Sequence, residues 1–232
     1  MKTELEAVRD KVADRIDAVV HAPSLRGVSH LLACGVAIVG AVYLAIQAAG
    51  TMQLAAAIIY GTGLALALGV SGVYHRLRLR PRLGPALRTL DHSMIFVFTA
   101  TTYTPFLLLA DVGGWRVGTM ILIWSMALVG IITRLLWTTV PRWVMVCMYI
   151  SLGWLAVVLM PALRTHLDPT VFVLIVTGGV LYSLGALVYL LQRPNPFPRV
   201  FGFHEIFHVF VVAAAACHFA AVWPLVTHTL NA

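Results

Sequence analysis

Seven apolar stretches of about 20 residues recur along the chain, separated by short segments that carry most of its charged residues. A bilayer core about 30 Å thick requires about 20 apolar residues of every helix that crosses it. The pattern therefore predicts seven transmembrane helices, at residues 28–49, 52–74, 90–110, 116–136, 143–163, 170–191 and 204–227. Because the connections are short, neighbouring helices should be antiparallel and form one bundle. We expect an all-α integral membrane protein with a seven-transmembrane helix bundle at residues 26–232.

The first 25 residues have a different pattern. Apolar residues recur there at helical spacing among nine charged residues, at Leu5, Val8, Val12, Ile16 and Val19. This spacing predicts an amphipathic N-terminal segment, residues 1–25, that lies at the membrane surface or against the bundle. The first long apolar stretch begins only near residue 28 and has full spanning length, so we do not expect a cleaved signal peptide.

The composition agrees with a membrane protein, since the mean hydropathy is +0.91 and only 11% of the residues are charged. Of the 16 lysine and arginine residues, all but Arg116 and Arg164 lie before the first span or flank the loops after the second, fourth and sixth spans. Cytoplasmic loops carry such an excess of positive charge. The distribution predicts a cytoplasmic N-terminus and a C-terminus on the outer side.

The net charge of +7 is explained by this topology and by contact with anionic headgroups, so we expect no nucleic-acid partner. The loop from Arg76 to Arg88 carries five arginines and is the predicted contact for anionic lipid headgroups. The same arginines could serve orientation alone. Nothing in the sequence predicts an oligomeric state.

Three spans bring ionisable side chains to the predicted cytoplasmic side. His75 ends the second span and Asp91 opens the third, while His204 and His208 open the seventh. Histidines four apart on a helix can both reach one metal ion, and three neutral imidazoles with an open fourth position are typical of catalytic zinc. We therefore predict a Zn²⁺ site at His75, His204 and His208. Asp91 could orient or deprotonate a water on the metal, and Ser71, one turn before His75, shares its helix face.

Each of these residues also has a simpler interpretation. His75 could be an interfacial side chain, and Asp91 could be a helix cap. Ser71 could be a packing serine that bonds to its own helix. Agreement in depth among all of them favours the joint site over the separate interpretations.

The remaining histidines are not predicted ligands. His92 follows Asp91 by about 100° around the helix and should point elsewhere, and His218 lies about 15 Å beyond His208 along the helix axis. The others fall near interfaces or loops, where they are expected to contact water, at His21, His30, His166 and His228.

Three motifs occur in order along the chain: Ser71-x-x-x-His75, Asp91-x-x-x-Ile95 followed by Pro105, and His204-Glu205-Ile206-Phe207-His208-Val209 followed by alanine-rich sequence to His218-Phe219. As a set, over about residues 25 to 227, they resemble the haemolysin III branch of the progestin and adiponectin receptor family. The resemblance implies zinc held by three histidines near the cytoplasmic side of a seven-helix bundle, with Asp91 near the metal and Ser71 behind it. Bacterial members are linked to haemolysis and membrane-lipid homeostasis, which implies a multi-pass protein of the bacterial inner membrane.

The wider superfamily contains alkaline ceramidases, so the resemblance favours a zinc-dependent hydrolase of a lipid amide or ester, with a membrane lipid as substrate or ligand. Asp91 and Ser71 are the predicted catalytic residues. Two alternatives remain open: a sensor or receptor with a structural zinc, and an intramembrane zinc protease with Glu205 as its base. A retinal protein is excluded because both lysines, Lys2 and Lys11, precede the first span.

Overall fold

The structure is a computed structural model that describes residues 23, 25–77, 83–110, 113–197 and 199–228. Regular structure within these residues consists of eight helices and no strand. Their bounds are α1 Val28–Ile46, α2 Thr51–Leu77, α3 Gly84–Leu109, α4 Trp115–Leu136, α5 Arg142–Trp154, α6 Ala156–His166, α7 Pro169–Leu191 and α8 Phe203–Thr227. In this part of the chain, seven spans are long and apolar enough to cross a membrane, with α5 and the start of α6 forming the fifth. The predicted all-α seven-helix bundle is confirmed.

Helix α3 begins at Gly84, earlier than residue 90, where the hydrophobic pattern placed the start of the third span. Pro85 lies in the first turn, where its fixed φ and missing N–H favour a helix start. Asp91 therefore lies inside the helix, about two turns from its beginning. The interpretation of Asp91 as a helix cap is wrong.

The fifth span is interrupted at Leu155, between α5 and α6. The Tyr103 hydroxyl of α3 reaches this break, where it accepts a hydrogen bond from the Ala156 N–H at 2.7 Å. It also donates to the Gly153 carbonyl oxygen at 2.5 Å. Backbone groups that are freed inside a membrane must find partners within the protein. A side chain from a neighbouring helix thus stabilises a break that no proline marks.

Helix α3 is the innermost helix of the bundle. It packs against α2, α4, α5 and α8, and 67% of its membrane-spanning stretch is buried. Helix α1, by contrast, presents large apolar side chains outward, among them Leu32, Val36 and Val39. An apolar exterior around a packed interior is the arrangement of a multi-pass integral membrane protein.

The helix directions bring the starts of α1, α3, α5 and α8 and the ends of α2, α4 and α7 to one end of the bundle. We call it the histidine end. Its assignment to the cytoplasmic side remains a prediction from the charge distribution. Most of the predicted amphipathic segment, residues 1–22 and 24, lies outside the described residues, as do residues 78–82 of the arginine-rich loop.

Candidate metal centre

His75, His204 and His208 converge at the histidine end. His75 lies in the last turn of α2, and the other two lie in the first turns of α8. One ligand atom of each lies within 4.8 Å of the other two, and the Nε2 atoms of His75 and His204 are 3.0 Å apart. Nitrogens that bind one tetrahedral zinc at about 2.0–2.1 Å are about 3.3 Å apart. The group could therefore hold a metal ion after a small side-chain adjustment.

The start of α8 is fixed by Glu205, which lies between the two α8 histidines and is only 2% exposed. Its Oε2 accepts a hydrogen bond from the Gly202 N–H at 2.8 Å, an arrangement that caps the helix start. Its Oε1 accepts a hydrogen bond at 3.0 Å from the Nε of Arg26, a residue that lies just before α1. Both oxygens are engaged, which argues against Glu205 as the free carboxylate that a protease base requires.

His30 packs against the site, so the expectation that it contacts water at an interface is wrong. The residue is 4% exposed, and its ring stacks on the His208 ring with centroids 3.7 Å apart and planes 16° apart. The stack restricts the orientation of His208. The sequence could not show this contact, because a histidine in the first turn of an apolar span has the same local pattern whether it faces headgroups or the bundle.

Gly27 lets the start of α1 approach His75 closely. This residue has a φ of +79°, and a Cβ built on it would lie 2.8 Å from the Cβ of His75 and 3.0 Å from the carbonyl oxygen of Gly72. Both the left-handed backbone and the close contact favour glycine. The contact holds α1, and with it His30, against the histidine group.

Asp91 and Ser71 line the same cavity as the three histidines. Ser71 is buried on α2 one turn before His75, and its side chain interacts with the Asp91 carboxyl, which comes from α3. The structure thus brings together the residues that the sequence placed at one depth. Their chemical roles stay predictions.

The cavity has a volume of about 730 Å³ and extends from the histidines along α3, α5, α6 and α7. Apolar side chains form much of its wall, among them Phe98, Met145, Leu159, Leu163 and Ile175. Ligand cavities of this size and lining are suited to apolar groups.

Besides His30, two further histidines line the cavity outside the metal-binding group. His218 has its Nε2 3.3 Å from the Ile175 carbonyl oxygen, so it is positioned by α7 and not by the other histidines. His92 lies near Arg88 and Arg134. The expectation that His92 points elsewhere holds for the metal-binding group but not for the cavity.

The family model described as "Haemolysin-III related" matches residues 18–219, which is most of the chain. The chain belongs to the haemolysin-III-related family. Membership in this family confirms the resemblance seen in the three motifs, and it agrees with a multi-pass membrane protein that in a bacterium lies in the inner membrane.

Relatives of this haemolysin III chain occur in bacteria and in animals. It is 34% identical to "Hemolysin-3" of Bacillus cereus over 166 residues, and this alignment covers 71% of this chain and 72% of the relative. It is 35% identical over 138 residues to "Hemolysin-3 homolog" of Bacillus subtilis (strain 168), covering 59% and 61%. The human "Monocyte to macrophage differentiation factor" is 28% identical over 172 residues, covering 71% and 68%. These relatives support the haemolysin III branch of the progestin and adiponectin receptor family.

Proposed function

We propose that this protein is a zinc-dependent hydrolase that cleaves an amide or ester bond of a membrane lipid and so influences membrane lipid composition. One observation carries the proposal: the three-histidine group, Asp91 and Ser71 line one apolar cavity inside the membrane domain. A metal site that opens into an apolar cavity suits a substrate that arrives from the bilayer.

The donor set supports zinc. Three imidazoles leave an open coordination position, as in catalytic zinc sites, whereas a structural site is usually closed by a fourth protein ligand. Within the described part of the chain, the metal-binding group contains the three histidines and no further residue. Zinc held there would lower the pKa of a coordinated water to about 7 and polarise a substrate carbonyl.

The other residues act through their positions around the cavity. The Asp91 carboxylate accepts the proton of the attacking water and returns it to the leaving amine or alcohol. Ser71, whose side chain interacts with this carboxyl, donates a hydrogen bond that orients it. The apolar wall holds the acyl chain and keeps bulk water away from the reacting bond.

Asp91→Asn tests the hydrolase directly. The amide keeps the size of the side chain but cannot accept the proton, so lipid turnover should fall by about 10² to 10⁴ while the zinc content stays at the wild-type level. The measurement is hydrolysis of ceramides, other acyl amides and ester lipids by purified protein, with metal analysis of the same samples. Asp168→Asn makes the same change at the N-cap of α7 and is the matched control. The proposal fails if zinc-loaded wild type cleaves no lipid of the panel.

A sensor or receptor with structural zinc is the competing function, because a metal on these histidines would tie α2 to α8. That function is supported if zinc removal lowers the thermal stability while Asp91→Asn changes neither lipid hydrolysis nor cellular lipid composition. The protease alternative predicts loss of activity in Glu205→Gln and retention in Asp91→Asn. The engagement of Glu205 by Arg26 and Gly202 argues against that result.

A further inference from the structure

Arg134 is buried in the last turn of α4, with 4% of its surface exposed. One Nη donates to the Thr138 carbonyl oxygen at 3.0 Å, but the Nε is buried without a hydrogen-bond partner. An arginine near the end of a span usually extends its charged group to the interface. Arg134 instead is covered by protein and is one of the residues that line the cavity.

Two more arginines line the cavity. Arg88 of α3 lies close enough to Arg134 for electrostatic repulsion. Arg142 opens α5, and its guanidinium lies 5.2 Å from the centre of the Tyr189 ring. Both side chains are exposed, whereas Arg134 is buried. We call Arg88, Arg134 and Arg142 the arginine cluster.

Acidic side chains in the described ranges do not neutralise the arginine cluster. Glu205 pairs with Arg26, and Asp168 caps α7 at the other end of the bundle. Asp91 lines the cavity, but no ion pair joins it to the cluster. A buried charge without a partner is strongly unfavourable, and ionisable groups inside membrane domains mark functional sites with a binding partner.

The arginine cluster adjoins the proposed reaction site on the α3 side. Arg88 precedes Asp91 by one turn on the same face of the helix, and it lies nearer the histidine end because α3 begins there. The Tyr149 side chain is an electrostatic neighbour of both Asp91 and Arg134. Tyr149 therefore connects the proposed proton acceptor to the buried arginine.

A second connection runs from α5 to the histidines. The Tyr189 ring, over which Arg142 lies, is 5.8 Å from the His204 ring, centre to centre. A lipid with its reacting bond at the histidines and its hydrocarbon chain in the cavity would place its headgroup near these arginines.

We propose that the arginine cluster is a phosphate subsite, so that the lipid in this cavity carries an anionic, phosphate-bearing headgroup. A guanidinium binds two phosphate oxygens at once through its planar fork. Three positive charges from three helices suit a tetrahedral phosphate with up to two charges better than a planar, singly charged carboxylate. The substrate class rests on the proposed hydrolase function, but the subsite does not, because binding requires no turnover.

Binding of a matched pair of lipids tests the subsite. The probes are a short-chain phosphatidic acid and the diacylglycerol with the same chains, which differ only in the phosphate, measured by displacement of radiolabelled lipid from zinc-loaded protein in neutral detergent. We expect wild type to bind the phosphatidic acid about tenfold or more tightly, the size of one or two charge-assisted hydrogen bonds. Arg134→Gln should lose this preference while its affinity for diacylglycerol stays unchanged.

Arg193→Gln is the matched control. It removes one positive charge after α7, at the same end of the bundle, from an exposed residue that does not line the cavity. Its preference for phosphatidic acid should equal that of wild type. An equal loss in Arg193→Gln and Arg134→Gln would mean that general surface charge causes the preference, and the subsite would be wrong.

The exposed Arg142 provides a second variant if Arg134→Gln does not fold, as judged by its melting temperature. Arg142→Gln should reduce the preference for phosphatidic acid severalfold, and an unchanged preference in both arginine variants overturns the proposal. Inorganic phosphate serves as a competitor. If it displaces the lipid fully and the acyl chains add no affinity, the subsite belongs to free phosphate and the lipid assignment is wrong.

Turnover separates the two proposals. Arg134-dependent binding without hydrolysis of any lipid would leave the phosphate subsite standing and overturn the hydrolase. Equal hydrolysis of neutral ceramide by wild type and Arg134→Gln, together with no preference for phosphatidic acid, would leave the hydrolase standing and overturn the phosphate subsite.

Discussion

Helices α1, α2 and α8 meet closely around the histidines, whereas α5 and α6 line the opposite side of the cavity with fewer contacts to their neighbours. We call these two sides the packed wall and the open wall. On the packed wall, Gly27 lets α1 reach His75, and His30 stacks on His208. On the open wall, the span is broken at Leu155 and is held there by the Tyr103 hydroxyl.

The difference between the walls matches two different requirements. Metal ligands must be held to within about 0.5 Å by rigid surroundings. A substrate that enters from the bilayer needs a segment that can open, and segments with few contacts open at the lowest free energy. We therefore expect changes in the packed wall to affect metal binding, and changes in the open wall to affect stability or lipid access without loss of metal.

The largest effect is expected for His208→Ala. Removal of one of three ligands should reduce the zinc content of purified protein to near zero. Only two imidazoles would remain, His75 on α2 and His204 on α8, and two protein ligands leave the zinc site incomplete. His218→Ala is the control, since it removes a buried histidine of the same helix that lies outside the group. Equal zinc content in the two variants would show that the histidine group is not the metal site.

Gly27→Ala should have the next largest effect. A left-handed backbone costs an alanine about 1–2 kcal/mol, and the contact of the new methyl with His75 adds about 1–3 kcal/mol of overpacking. We expect a lower melting temperature together with weaker zinc binding.

Gly113→Ala separates the two contributions of that change. Gly113 also has a positive φ, +58°, but a Cβ there meets nothing within 4 Å. It should share the backbone cost and leave zinc affinity unchanged. If the two alanine variants lose the same amount of stability and both retain zinc, the packed wall is not the cause of the metal geometry.

Tyr103→Phe probes the open wall. The change leaves the Ala156 N–H without its partner inside the membrane, which should cost about 1–3 kcal/mol in the free energy of unfolding. Zinc content and affinity should stay at the wild-type level, as measured by metal titration and by thermal unfolding of the same samples. Loss of zinc in Tyr103→Phe would contradict the separation of the two walls.

The smallest effect is expected at His30. His30→Phe keeps a ring that can stack on His208, so its zinc affinity should remain within about twofold of wild type. His30→Ala removes the ring that restricts His208 and should lower the affinity about tenfold, the lower limit for residues that orient a ligand. If the two variants bind zinc equally well, the stack does not orient the ligand.

The sequence predicted the elements that follow from hydrophobic length and charge. The seven spans and the meeting of His75 with His204 and His208 were predictable because short loops leave one antiparallel order for the helices. The Gly84 start of α3 was not found, since its first turns are amphipathic and carry arginine, which a search for apolar length treats as a loop.

Contacts between distant helices could not be read from local pattern. At the break at Leu155, backbone groups bond to a tyrosine of α3, and the local sequence of the fifth span does not show this contact. By sequence, Arg134 is only one of the positive charges that indicate membrane orientation, because an arginine at the end of a span has the same local context whether its side chain faces water or a cavity. The same holds for two other residues. His30 was expected to contact water but stacks on His208 of α8, and Glu205, a candidate protease base, pairs with Arg26.

The Arg26–Glu205 ion pair and the histidine group can form only late in biosynthesis, after α8 has been synthesised. His75 and His204 are 129 residues apart in the chain. Arg26 and its partner Glu205 are 179 residues apart. Translation at about 5–20 residues per second puts roughly 6–26 s between the emergence of the first histidine and the second. Binding of a metal ion by all three histidines would therefore have to follow synthesis of α8, and a chain that stops before α8 retains Arg26 without the Glu205 carboxylate. Metal loading would then distinguish finished from unfinished chains in the membrane.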